Sequence, residues 1–284
     1  MSRVYEALRL SELETGVGPA TLDPDCLLSF STSTVGGSDQ SRTAVQWNEI
    51  ESLNPTVAEK SRVVALTEGN GLGAEKFRLL RARLRNLREH LALQRLVLTS
   101  AVPGDGKTMV TMNLAVSLAK HTDEKILLLE GDLRKPMVGE HLGIRGRRGL
   151  GDWCLCDEPI SNFIYRLDDS QLWVLHAGTT PENPVTILQS ARFLELYRHL
   201  CSCFDWIIID APPLLPMADV SFWSRNADGL LLVVRQGKTP KMVLQKGLET
   251  LDNPNVVGVV LNDARDIESS YYQRYYRGHQ KVAG

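Results

Sequence analysis

The chain predicts an α/β domain built on a mostly parallel sheet with helices on both faces. Short, almost wholly apolar runs recur at Leu96–Thr99, Ile126–Leu129, Leu172–Leu175, Trp206–Ile209, Leu230–Val234 and Val256–Leu261. Stretches with helical spacing separate them, at about 74–91, 107–120, 185–202, 217–225 and 240–251. Strands without a polar face need cover on both sides, the pattern of a parallel sheet wrapped by crossover helices. The first run leads straight into a glycine-bearing loop and a helix, and two later runs end in carboxylates. In open sheets of this kind ligands sit beyond the carboxyl ends of the strands.

Taken in order, residues 1–60 divide into a short amphipathic start (Val4, Leu8 and Leu10 with Glu6 and Arg9) and a Ser/Thr/Gly-rich stretch around 29–39 that reads as a linker. Domain character begins near Val63, so a domain is expected over 61–263 and a polar tail over 264–284. The helix at 74–91 places Phe77, Leu80, Leu84, Leu87 and Leu91 on one face. A net charge of −2, with 43% hydrophobic and 23% charged residues, is ordinary for a soluble protein and favours neither nucleic acid nor an anionic membrane as partner. No apolar run approaches the ~18–20 residues that span a bilayer, and the first residues lack a secretory h-region. A cytoplasmic location is expected. The five cysteines include Cys154/Cys156 and Cys201/Cys203. A one-residue spacer is not that of a zinc knuckle, so reduced thiols are expected there rather than a metal site.

The chemistry concentrates at three strand ends. After Leu96–Thr99 the chain reads Ser100, Ala101, Val102, Pro103, Gly104, Asp105, Gly106, Lys107, Thr108, Met109. Amides around the two glycines can converge on phosphate oxygens, and the following helix adds its positive end. Lys107 can reach the outer phosphates and the Thr108 hydroxyl can sit on Mg²⁺. Ala101 stands where this motif usually has glycine. The stretch from Pro103 to Met109 is therefore the expected nucleotide-binding loop. After Ile126–Leu129 come Glu130, Gly131, Asp132, Leu133 and Arg134; after Trp206–Ile209 comes Asp210. An apolar strand ending in aspartate is the usual second acidic element of such a site, holding Mg²⁺ directly or through water. Asp132 and Asp210 join Thr108 as expected metal contacts, and a third acid suggests work on a proton from an incoming hydroxyl.

On these motifs the chain resembles the bacterial tyrosine autokinases of the CpsD/CapB type, similar to the cytoplasmic domain of Wzc-type exopolysaccharide proteins. Their fold is similar to the P-loop ATPases of the MinD/ParA type. The resemblance runs from about Glu75 to the C-terminus: Pro103–Thr108 matches the first motif, Glu130–Pro136 an Asp-x-Asp-x-Arg motif, Asp210–Pro213 an Asp-x-Pro-Pro element, and Ala177–Pro184 a Gly-x-x-Pro-Pro-Asn-Pro segment. It implies ATP and Mg²⁺ as cofactors and Lys107, Glu130, Asp132 and Asp210 as catalytic residues. Glu130 replaces the aspartate suggested as base, lengthening the carboxylate by one methylene. Asn262, after the last strand, falls where related ATPases read adenine. Glu75, Arg78 and Arg81 match a Glu-x-x-Arg-x-x-Arg self-association motif, implying a ring-like homo-oligomer.

The tail supplies an acceptor. Tyr271, Tyr272, Tyr275 and Tyr276 are four of the seven tyrosines and lie among polar residues. The resemblance implies phosphorylation of this cluster, control of capsule or exopolysaccharide polymerisation and export, and a membrane-anchored activator or chain-length determinant protein. With no spanning segment in view, that activator is expected to be a separate polypeptide that recruits the kinase to the inner face of the membrane. Nucleic acid is not an expected partner. Two alternatives stand beside this reading. A regulatory ATPase of the MinD/ParA type would carry a signature lysine where this chain has Val102. A nucleotide-binding interaction protein without kinase activity would not need Lys107, Thr108, Asp132 and Asp210 together.

Overall fold

The structure is a computed structural model and describes residues 47, 50–55, 62–67, 71–120, 122–168, 170–215 and 219–264. The expected amphipathic start, the Ser/Thr/Gly-rich stretch and the four tail tyrosines lie outside these residues. The elements in chain order are β1 (Ser52–Leu53), α1 (Val64–Thr67), α2 (Leu72–His90), β2 (Arg95–Ser100), α3 (Lys107–Ala119), β3 (Ile126–Glu130), α4 (Val138–His141) and α5 (Leu150–Cys154). A 3-10 turn at Ile160–Phe163 leads into β4 (Tyr165–Leu167), β5 (Leu172–Leu175), α6 (Pro184–Leu188) and α7 (Ala191–Cys203). β6 (Trp206–Asp210), α8 (Asp219–Arg225), β7 (Gly229–Arg235), α9 (Lys241–Leu248) and β8 (Val256–Asn262) complete the series.

All six apolar runs become strands of one eight-stranded sheet, ordered β1-β4-β5-β3-β6-β2-β7-β8. The six from β5 to β8 across the sheet are parallel. At the other margin β4 pairs antiparallel with β5, and β1 parallel with β4. Alternation along each strand sends side chains to two separate cores. Leu96, Leu98, Ile126, Leu128, Val174 and Ile208 pack with α2 and α3. Val97, Leu127, Leu129, Trp173, Leu175, Ile207 and Ile209 pack with α7 and α8. The strands are continuous in hydrophobicity because both of their faces are covered.

Helix α3 is buried along Val110–Ala119, since the sheet lies under it and α1 and α2 lie over it. The buried Asn113 on it finds a partner for both of its side-chain polar atoms. Asn113 Oδ1 accepts from the Ala65 amide (2.8 Å), while its Nδ2 donates to the carbonyls of Arg62 (2.9 Å) and Met109 (2.7 Å). Arg81 Nη1 donates to the carbonyls of Ser117 (2.8 Å) and Lys120 (3.2 Å), satisfying the exposed end of α3.

Three features depart from the sequence expectations. The helical stretch at 185–202 is two helices, because Asn183 and Ser190 each cap one: the Thr186 amide donates to Asn183 Oδ1 (3.5 Å) and the Phe193 amide to Ser190 Oγ (3.1 Å). β1 and β4 are two and three residues long, too short to show an alternation in sequence. Finally, the packed unit starts upstream of residue 61. Trp47 and Ile50 are buried in the core, Trp47 stacks edge-on against Phe204 at 4.7 Å, and its carbonyl accepts from Trp173 Nε1 at 3.2 Å. Trp47→Ala should therefore cost about 3–5 kcal/mol in urea denaturation, the range for a core tryptophan. A loss below ~0.5 kcal/mol would mean that this segment is a linker after all.

Candidate active site

β2, β3 and β6 are neighbours, so their carboxyl ends open onto one crevice. Register places Leu98 and Glu130 opposite Asp210. Beyond β2 the loop turns back on itself at Gly104 (φ 89°) and Gly106 (φ 88°), a left-handed path that favours glycine. Gly106 is the N-cap of α3, a thirteen-residue helix whose free amides face the crevice.

Four predicted residues meet here. Thr108 Oγ1 donates to Asp210 Oδ2 (2.7 Å), and Thr111 Oγ1 reaches Asp210 Oδ1 (3.3 Å). Lys107 Nζ lies 3.0 Å from Asp132 Oδ2 and 3.6 Å from Asp210 Oδ1. Burial works against the Lys107 ammonium, but Asp210 and Asp132 outweigh it and its pKa is raised. Burial also pushes the Asp210 carboxyl up, against the pull of Lys107 and the Thr108 hydroxyl. Asp132 Oδ1 is held by the Lys135 amide at 3.1 Å. This cluster sets two carboxylates about one ammonium, and its hydroxyl and carboxylate oxygens are ligand atoms that suit Mg²⁺. Among the described residues no group of three or more acidic, histidine or cysteine side chains could hold a metal. Mg²⁺ bound here would share its coordination with phosphate oxygens, as that ion commonly does.

Around the loop, other residues serve as braces. Asn262, expected beside adenine, donates its Nδ2 to the Asp105 carbonyl at 2.7 Å. A Cβ on Gly106 would stand 2.2 Å from that nitrogen. Asp105 Oδ1 accepts from Thr239 Oγ1 (2.6 Å), and Arg235 Nη1 donates to the Gly104 carbonyl (3.4 Å) while its Nε pairs with Asp263 (3.0 Å). Thr239 and Arg235 escaped the sequence reading. Their one signal was position, just beyond an apolar strand of the same sheet edge. Pro103 and Met109 stand at the two ends of the loop, Met109 in the first turn of α3 and packed against the core.

Glu130 is placed differently from a base. It is fully buried, Oε1 accepting from the amides of Met137 (2.5 Å) and Val138 (2.6 Å), and Oε2 from the amide of Ala177 (2.8 Å). The extra methylene lets one carboxylate tie the β3–α4 loop to the loop after β5. It faces backbone donors, and the expectation that it accepts a proton from an incoming hydroxyl does not fit this geometry. Burial pushes its pKa up to about 7, against the lowering effect of those amides.

The Glu75, Arg78 and Arg81 set also folds inward in part. Arg78 Nη1 pairs with Glu75 at 2.5 Å on the same helix, whereas Arg81 caps α3. Arg85 and Arg88 both pair with Glu124. A carboxyl with a raised pKa keeps a proton in the native state that the unfolded chain releases, so its contribution to stability falls as pH rises from about 4.5 to about 7. Melting temperatures at pH 5 and pH 8 test this: the difference between wild type and Glu130→Gln should be more favourable to wild type at pH 5. An equal difference at both values would show that Glu130 does not titrate in this window.

No established family profile matches the chain. It is 32% identical over 215 residues to the tyrosine-protein kinase YwqD of Bacillus subtilis (strain 168), covering 75% of this chain and 90% of that protein. It is likewise 32% identical over 208 residues to the putative tyrosine-protein kinase CapB of Staphylococcus aureus, covering 72% and 90% respectively. Among solved structures, that of the chimerical protein CapA2B2 superposes with a TM-score of 0.68 at 28% identity, over 76% of this chain and 94% of that one. The chain belongs to the bacterial tyrosine-protein kinases.

Proposed function

We propose that the crevice holds Mg·ATP and that the chain transfers the γ-phosphate to tyrosines of its own tail, Tyr271, Tyr272, Tyr275 and Tyr276, in the control of capsule or exopolysaccharide polymerisation and export. The observation that carries this is the single cluster of Lys107, Thr108, Asp132 and Asp210 at the carboxyl ends of β2, β3 and β6. In the transfer, a phenolic oxygen forms a bond to the γ-phosphorus as the bridging oxygen of ADP leaves, and the phenolic proton is released. Thr108, Asp132 and Asp210 would hold Mg²⁺, which would supply neutralisation of the phosphate charge. Lys107 and the loop amides bind and orient the phosphates. Phosphoryl transfer of this kind needs position and charge stabilisation more than a strong base. With phenol titrating near ~10, a nearby carboxylate serves to orient the hydroxyl.

The same reading extends to assembly. Residues 264–284 act as an acceptor tail that reaches a neighbouring subunit, with Glu75, Arg78 and the flank of α2 at the contact between copies. Each phosphotyrosine adds roughly −1.5 to −2 charges, and several would repel the acidic crevice of the next subunit and open the ring. A membrane-anchored partner activates the kinase and recruits it to the inner face of the membrane.

Two experiments test this. Incubation of the purified protein with Mg·ATP, with and without the cytoplasmic segment of a candidate membrane partner, should yield phosphotyrosine mapped to the tail. Steady phosphate release without phosphotyrosine would point to a regulatory ATPase instead. Replacing all four tail tyrosines by phenylalanine should abolish labelling and leave ATP binding intact; labelling that persists would mean that the acceptors lie elsewhere. Lys107→Ala should lower the transfer rate by about 10²–10³-fold, the loss expected for one preorganised charge donor, measured as phosphotyrosine formed per minute.

A further inference from the structure

The loop that carries Asp132 is irregular, yet it is held at fixed points by a helix from elsewhere in the chain. Trp223 Nε1 on α8 donates to the Gly131 carbonyl at 3.2 Å. Its ring lies so close that a Cβ on Gly131 would stand 2.7 Å from it. One turn earlier on the same helix, Asp219 accepts from Arg134 twice, from Nε to Oδ2 at 2.7 Å and from Nη2 to Oδ1 at 3.2 Å. Asp219 is buried at 2% exposure, where an ionised carboxylate needs such a partner. Between these two anchors the loop has only Asp132 and the fully buried Leu133. The amides of Gly131 and Asp132 both donate to the Asp210 carbonyl at 2.9 Å, and α8 follows the Asp210 loop in sequence.

One helix therefore bears on both acids of the crevice. Arg134 is the middle of the link. Its side chain is 38% exposed, but the guanidinium turns back onto α8. A planar fork meeting a carboxylate at two points fixes orientation as well as distance.

We infer that Asp219 and Trp223 are positioning residues for phosphoryl transfer, setting the Asp132 carboxylate through Arg134 and the Gly131 carbonyl. Neither touches the crevice cluster, and both act through the loop. The inference rests on Asp132 serving the nucleotide site, and Asp132→Asn is included to keep the two ideas separable.

The test uses the full chain and the variants Asp219→Asn, Arg134→Gln, their double variant, Trp223→Phe and Asp132→Asn. The first readout is amide hydrogen exchange over residues 130–138 without nucleotide. The second is the factor by which Mg²⁺ tightens binding of a fluorescent ADP. Asp219→Asn and Arg134→Gln should each speed exchange in the loop and reduce the Mg²⁺ factor by about tenfold, the lower end of what loss of an outer-shell partner does to metal affinity. The double variant should be no worse than either single one, because both break the same link. Trp223→Phe keeps the ring and removes the N–H, so its effect should be smaller and in the same direction. ADP affinity without Mg²⁺ should stay unchanged, since Lys107 and the loop amides are untouched. Should Asp219→Asn fail to fold, as its melting temperature would reveal, Arg134→Gln at the half-exposed end carries the test. Unchanged loop exchange in Arg134→Gln, or strictly additive effects in the double variant, would overturn the inference. A Mg²⁺ factor unaffected by Asp132→Asn would instead overturn the site assignment, with loop exchange still deciding whether the link exists.

Discussion

Two carboxylates converge on one partly buried ammonium, and the rest of the molecule is arranged to keep them there. Asp210 is 1% exposed and the Lys107 side chain 11%, so the carboxylate depends on the ammonium beside it. Asp132 adds a second negative group 3.0 Å from the Lys107 ammonium. A nucleotide that takes up the ammonium leaves this acidic pair in need of a cation. Lys107, Asp132 and Asp210 thus form one charge system, in which removing any member leaves the others without a partner. That dependence requires β2, β3 and β6 to be adjacent with their carboxyl ends level, which the parallel register provides.

The loops around the crevice achieve rigidity without regular structure. Glu130 gathers three amides from two loops, Asn262 and Thr239 brace the phosphate loop at Asp105, and α8 holds the acidic loop at Gly131 and Arg134. Buried backbone donors and acceptors need partners, and here side chains from distant strands and helices supply them. Preorganisation of this kind suits phosphoryl transfer, where the protein contributes mainly position and charge. Glu130 shows how residue type and role can separate. It keeps the acidic character of its motif position, but its added length carries the carboxylate into backbone contacts.

Much of the fold was legible because its signals are local. The six apolar strands and their intervening helices follow from hydrophobic runs, and the phosphate loop follows from glycine spacing before Lys107 and Thr108. Other parts were hidden for definite reasons. Ser190 splits an amphipathic stretch into two helices by capping, which hydrophobic spacing alone does not register. Trp47 and Ile50 lie in a segment whose neighbours look like a linker, and their burial depends on Phe204 and Trp173 far along the chain. The arginines of α2 share one flank in sequence, yet Arg81 is drawn to the end of α3 while Arg78 pairs with Glu75. Thr239, Arg235, Asp219 and Trp223 carry no motif, because their roles arise from contacts across as many as 134 positions.

The sequence by itself determined the α/β class, the phosphate loop and the acids that end two strands, because each is a pattern within a few residues. Only the tertiary structure decided which acid faces Lys107 and which faces backbone amides. Strand register and loop bracing set that choice, and both depend on side chains brought together from opposite ends of the domain.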